Sequence, residues 1–269
     1  MYLYIFVETL IMKMKNNQLF IIPVFLISLL CSFTIHAQRD VEEAISTPYI
    51  SIQYGANWTG GDLADRYGFT NSLGSHAGYK TKNNWIYGID GNFFFGNDVK
   101  IDGLVQNLMD EQNQIMNTSG TPAKVLLFNR GFNINFAVSK IFPVLSPNKN
   151  SGIMLQLSAG YLWHKLRLET QEDEVPQLEN EYLKGYDRLT TGVNTSEFIG
   201  YSFMADRGIY NFYAGFYFQQ GFTKNQRDIF WDHPNERASK DLRIEHMYGF
   251  KVGWLIPIYK RQVKDYYFN

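Results

Sequence analysis

The chain has 269 residues, 16% of them aromatic and only 19% charged, with a formal net charge of −1. A near-neutral balance argues against nucleic acid as a partner, and the slightly negative mean hydropathy of −0.26 excludes a bundle of transmembrane helices. It does not exclude a membrane barrel, which shows its apolar residues at every second position and so averages to ordinary hydropathy.

The N-terminus holds the one long apolar run. Lys13 and Lys15 precede Leu19 to Ile35, and the run ends at His36-Ala37-Gln38. A basic lead, an apolar stretch and a small residue describe a secretory signal peptide over residues 1–37, with cleavage after Ala37 and Met14 as an alternative start. An uncleaved anchor is the other reading. Cys31 invites a lipoprotein reading, but bulky Leu30 precedes it. Cleavage would leave a mature chain without cysteine, hence without disulfides, a thiolate metal site or a cysteine nucleophile.

After a short lead over 38–47, eight segments alternate apolar and small or polar residues: 48–58, 72–82, 85–97, 124–142, 151–168, 195–206, 209–222 and 244–259. In 124–142, Phe128, Phe132, Ile134, Phe136 and Val138 oppose Asn129, Gly131, Asn133, Asn135 and Ser139, with Arg130 out of phase near one end. In 209–222, Phe212, Ala214, Phe216 and Phe218 oppose Asn211, Tyr213, Gly215, Tyr217 and Gln219. A soluble sandwich also alternates, but it would carry charge on its polar face, and almost no Lys or Glu lies mid-strand here.

The connections alternate in length: long over 59–71, 98–123, 169–194 and 223–243, short at 83–84, 143–150 and 207–208. Asn83-Asn84 and Arg207-Gly208 read as tight turns, and Pro143 to Asn150 as a Pro, Ser and Asn turn. This rhythm predicts an all-β fold: an eight-stranded, antiparallel, up-and-down transmembrane β-barrel over 48–259 with four long extracellular loops, followed by a basic periplasmic tail over 260–269. Trp58 and Trp163 are expected at the outer rim, and Tyr49, Trp85, Trp254 and Tyr259 at the periplasmic rim. The pattern resembles the small outer-membrane barrels of Bacteroidota that share the fold of the OmpA transmembrane domain. The resemblance implies outer-membrane lipid and lipopolysaccharide as surroundings and other envelope proteins as partners, in secretion or membrane-protein assembly.

No set of residues specifies a reaction, and no cofactor is implied. Gly-x-Ser-x-Gly, His-Glu-x-x-His and a phosphate loop are all missing from the sequence. Gly60-Gly61-Asp62 with Asp65 hints at calcium but reads more simply as a turn. His164 and His246 fall toward the outer rim with Glu169 and Glu245 nearby, yet Glu245 and His246 are adjacent and must face opposite ways. An eight-stranded lumen is filled by side chains, and Asp90, Glu245 and Lys251 are expected to neutralise one another in a polar plug. In 98–123, Ile101, Leu104, Val105, Leu108 and Met109 have helical spacing, suggesting an amphipathic helix beside the barrel. Leu104, Leu108, Phe230 and Trp231 are the candidates for docking a partner.

Overall fold

In the computed structural model the described residues are 44–171, 174–205 and 210–258; the expected signal peptide, the tail over 260–269, Tyr259 and the Arg207-Gly208 turn lie outside them. Eight long strands follow in chain order: β1 Thr47–Gly61, β2 Thr70–Lys80, β3 Trp85–Gly96, β4 Leu126–Phe142, β5 Gly152–Glu169, β6 Thr190–Met204, β7 Asn211–Asn225 and β8 Arg243–Pro257. Each pairs antiparallel with its neighbour in sequence, and β1 also pairs with β8, so the sheet closes and leaves no open edge. Pro48 pairs with Tyr79, and following the register from Tyr79 round through Tyr87, Val138, Leu157, Glu197, Phe218 and Tyr248 returns to β1 at Trp58. That stagger of ten residues tilts the strands against the barrel axis, as closure requires.

Burial follows the alternation, but with polar residues inside and apolar residues out. Asn133 and Asn135 are 1% exposed, whereas Ile134 and Phe136 between them are 56% and 60% exposed. The same inversion runs through Leu155, Leu157, Ile199, Phe216 and Phe250, all on the outer wall. A water-soluble monomer rarely presents more than a few hundred Å² of contiguous apolar surface, so this continuous belt identifies a transmembrane barrel. Every backbone group in it is satisfied by the closed ladder, which hydrocarbon demands. The strands run 11 to 18 residues, longer than the roughly 9–11 that cross a bilayer. Their excess lies toward the long-loop end, where Arg130, Lys165, Arg167 and Lys224 project outward.

Three details differ from the sequence expectation. The strands β6 and β7 reach further into the long loops, to Thr190 and Asn225, because polar residues there still pair across the lumen above the apolar belt. Tyr49 is not a rim anchor: it is 3% exposed and stacks on His76 at 5.4 Å inside the barrel. Its phase with Ser51 and Gln53 sends it inward, whereas Trp58, Trp85 and Trp254 do face out. Finally, 98–123 forms no amphipathic helix. It holds a single 3-10 turn, Gln106–Leu108, and a short ladder of Ile115–Met116 with Pro122–Ala123. Gly103 takes left-handed backbone just before the turn and Met109 is extended just after it, so no second helical turn forms.

Candidate functional site: the lumen and its cap

The lumen divides into two polar groups on different levels. In the lower one, Asp90 of β3 accepts from Gln53 Nε2 at 2.9 Å and from Asn92 Nδ2 at 2.6 Å. Gln53 Nε2 also donates to Asn92, which donates to Asn133, which donates to Gln219 Oε1 at 2.7 Å. Tyr213 and Tyr217 donate into this net from β7, to Gln53 Oε1 and Gln219 Oε1. Lys251 Nζ lies 3.9 Å from Asp90 and 4.0 Å above the Tyr217 ring. The Tyr213 ring needs the space left by Gly253, where a Cβ would fall 2.3 Å from the ring. Amide and phenol groups cross-link the wall and fill the bore, and both His76 Nδ1, at 3.7 Å, and Lys251 lie beside the Asp90 carboxylate.

Glu245 belongs to the upper group, six residues along β8 from Lys251, about 20 Å at strand rise. The expected mutual neutralisation of Asp90, Glu245 and Lys251 is therefore two separate arrangements. Glu245 Oε2 pairs with His164 Nε2 at 2.8 Å, and Glu245 Oε1 accepts from Arg243 Nε at 3.2 Å. His246, its neighbour in sequence, faces the outer wall against Phe218. The His164–Glu245 pair has the form of a base with an orienting carboxylate. A nucleophile should then sit on the other ring nitrogen, and His164 Nδ1 has no hydrogen-bond partner among the described residues. Tyr67 lies edge-on to the His164 ring at 5.7 Å and seals the pair from solvent.

Above Tyr67 the four long connections, 62–69, 97–125, 170–189 and 226–242, pack into a cap. Leu63, Tyr67, Leu104, Val105, Ile115, Val175, Leu178 and Tyr186 bury together with Leu162, Leu166 and Met247 from the strand ends. Trp231 enters this core: its ring packs over Gly185, edge-on to Tyr182 at 5.4 Å and Tyr186 at 6.0 Å. Asn107 Nδ2 ties three connections together by donating to Tyr186 Oη and to the Trp231 carbonyl. Around the rim, Asp187 receives Arg227 through both carboxylate oxygens, and Arg188 pairs with Asp232 while lying 3.7 Å over the Phe230 ring. Arg66 reaches down to Thr190 and Asn225; burial and the neighbouring Arg243 pull its guanidinium down to about 10.

The candidate docking residues are thus spent within the chain. Leu104 is 2% exposed, Leu108 packs against the cap core, and Phe230 and Trp231 are half-buried by Arg188 and Gly185. Among the described residues, the large apolar groups that the cap does present are Phe69, Met109, Met116, Tyr182, Ile229 and Leu242. Sequence spacing could not select these, because facing solvent or core is decided by contacts between separate loops. At Gly60-Gly61-Asp62, read from the sequence as a turn, Asp62 Oδ2 accepts the Ile244 backbone N–H, so the aspartate pins the turn.

Fold and site together define a transmembrane β-barrel with a filled polar lumen and an ordered cap over one mouth. No protein-family model matches the chain, and no curated protein sequence matches it. Among solved structures it is similar to Neisserial surface protein A, with 12% identity and a TM-score of 0.38 over 78% of this chain and 98% of that one. It is also similar to Ail, the attachment invasion locus protein of Yersinia pestis, with 10% identity and a TM-score of 0.37 over 78% and 99%. The N-terminal β-barrel domain of Pseudomonas aeruginosa OprF gives 9% identity and a TM-score of 0.35 over 79% and 100%. The barrel assignment rests on the strand ladder of this chain itself.

Proposed function

We propose that the chain is an integral outer-membrane barrel without catalysis of its own, serving as an accessory or structural subunit of an envelope protein-assembly or secretion complex. The observation that carries this reading is the cap. Ordering long connections costs about 1–2 kcal/mol of backbone entropy per residue, and loops of this length are ordered where they serve a purpose. Here they are held by a shared apolar core and two buried-rim Arg–Asp pairs, which gives a fixed face rather than a mobile fringe. Met109, Met116, Tyr182 and Ile229 on that face, together with lipopolysaccharide beside it, are the surroundings such a subunit would meet.

The test is a native pull-down of the tagged protein from outer membranes in mild detergent. Partners in fixed stoichiometry are expected, and a barrel that always migrates alone would overturn the reading. A narrow channel is the second reading, favoured only by the polar lining of the lumen. A lipid A-modifying enzyme is the third, favoured by the His164–Glu245 pair; lipid A mass spectra are expected to be unchanged when the gene is deleted.

A further inference from the structure

One charged side chain breaks the apolar belt. Glu197 is the middle residue of β6 and lies in the outward phase, between Ser196 and Phe198, which both face the lumen. Its cross-strand neighbours are Leu157 on β5 and Phe218 on β7, both on the outer wall. The other outward charges of the described strands, Arg130, Lys140, Lys165, Arg167, Glu169 and Lys224, lie toward strand ends, where a long side chain reaches the interface. A glutamate at mid-strand has no such escape. Its Oε2 atom is buried and has no hydrogen-bond partner among the described residues.

Glu197 sits in a groove of about 600 Å³ on the lipid-facing wall, between Leu157, Ile199, Phe216 and Phe250 with Trp58 and Tyr248 at one side. A second groove of about 480 Å³ lies across the barrel, lined by Ile52, Leu73, Phe93 and Ile134, and it holds no charged residue. Acyl chains suit that second groove. They do not suit the first, because a hydrocarbon tail offers nothing to a carboxyl group, and an intramembrane ionisable residue is costly unless it is partnered.

A second copy of this chain suits it less well. In a two-fold dimer whose axis runs along the membrane normal, each residue keeps its depth and meets the same surface patch on its mate. Glu197 would then face another Glu197, which donates only when protonated, and apolar residues at its own level; the groove's other donors, Trp58 and Tyr248, stand at one side of it.

We propose that the groove around Glu197 is a lateral docking site for a different membrane-spanning protein, one whose lipid-facing surface carries a hydrogen-bond donor, Lys, Arg or a hydroxyl, at mid-depth. The proposal rests on the reading of this chain as a subunit of an envelope complex and assigns that complex a contact inside the membrane rather than at the cap. His246, Gln220 and Thr195 lie on the same outer wall one pair nearer the cap, in register across β8, β7 and β6, and extend the polar strip toward the interface.

The test places a photo-crosslinking amino acid at Ile199 or Phe216 in intact outer membranes, with Leu73 as the control on the opposite wall. One discrete protein adduct is expected from the first two positions and none from Leu73, and the mapped partner peptide should carry a donor at mid-span. Glu197→Leu should reduce the adduct on the order of tenfold, while Glu197→Gln, which keeps an acceptor, should retain most of it. Heat-modifiable migration of the isolated Glu197→Leu barrel should be unchanged or shifted to higher temperature, since a polar group leaves the lipid face; a merely structural role would shift it down. Adducts to lipid only, to a second copy, or equal from both walls would overturn the proposal. If partners co-purify but crosslink only from cap positions, this inference fails while the subunit reading stands; if nothing co-purifies and nothing crosslinks, both fail.

Discussion

Tyr67 joins the lumen to the cap with no exposed surface, and its hydroxyl finds no hydrogen-bond partner among the described residues. A buried hydroxyl left unsatisfied costs about 1–3 kcal/mol, so Tyr67→Phe is expected to leave the cap as stable or more so. Burial, helped by the Glu245 and Asp187 carboxylates and opposed by Arg66, pushes the phenol well above its ordinary value. In the opened chain Tyr67 ionises near pH 10 while the packed one keeps its proton. The open state therefore loses protons first, and cap stability falls as pH rises past about 10. Limited proteolysis between pH 9 and 12 should show the cap loosening in the parent and less so in Tyr67→Phe. Gly185 is the opposite case, since any Cβ there would fall within 2.5 Å of the Trp231 ring. Gly185→Val should cost roughly 1–3 kcal/mol of cap packing, read as a red shift in tryptophan emission and faster loop cleavage with unchanged heat-modifiable migration.

At the scale of elements, the strands were legible and the cap was not, and the reason is the range of the signal. A strand between hydrocarbon and a polar bore must alternate at period two, so each segment carries its own evidence, as Asn133-Ile134-Asn135-Phe136 does. Tyr49 faces inward in phase with Ser51 and Gln53, a local alternation that overrides the general preference of aromatics for the rim. Ile101, Leu104, Val105 and Leu108 do have helical spacing, but a left-handed Gly103 and an extended Met109 limit it to one 3-10 turn. Their partners, Val175, Leu178 and Tyr186, lie in another loop, and no local pattern announces that. The pairing of His164 with Glu245 is equally non-local, since the two sit on non-adjacent strands and only closure of the barrel brings them to 2.8 Å across the bore. Since β3 pairs along its full length with β4 without help from 98–123, replacing that segment with a short Gly, Asn and Ser turn should leave a closed barrel. The cap core would lose its cover over Leu162 and Tyr186, and binding of a hydrophobic dye should rise.

The whole molecule puts two constraints on what it can do. Its bore is crossed by the chain from Gln53 through Asn92 and Asn133 to Gln219 and is closed above by Tyr67 and the cap, so planar-bilayer recordings should show no discrete conductance. Orientation is the second constraint, because it decides which compartment the cap faces. The short connections around Asn84 and Lys149 and the long ones bearing the cap lie at opposite ends of the barrel, and in outer-membrane barrels short turns face the periplasm. The sequence contains one cysteine, Cys31, so a reporter thiol placed beyond residue 37 stands alone in a chain cleaved at Ala37. Asn235→Cys on the exposed hairpin of the cap should react with a membrane-impermeant maleimide on whole cells, and Lys149→Cys only after the outer membrane is opened. Both side chains are exposed in the fold, so unequal labelling would report the membrane barrier and not local burial. The reverse result would turn the cap into a periplasmic face and move any partner that docks on it to the same side. A lateral contact at Glu197 would survive either outcome, since that groove opens to lipid and not to either compartment.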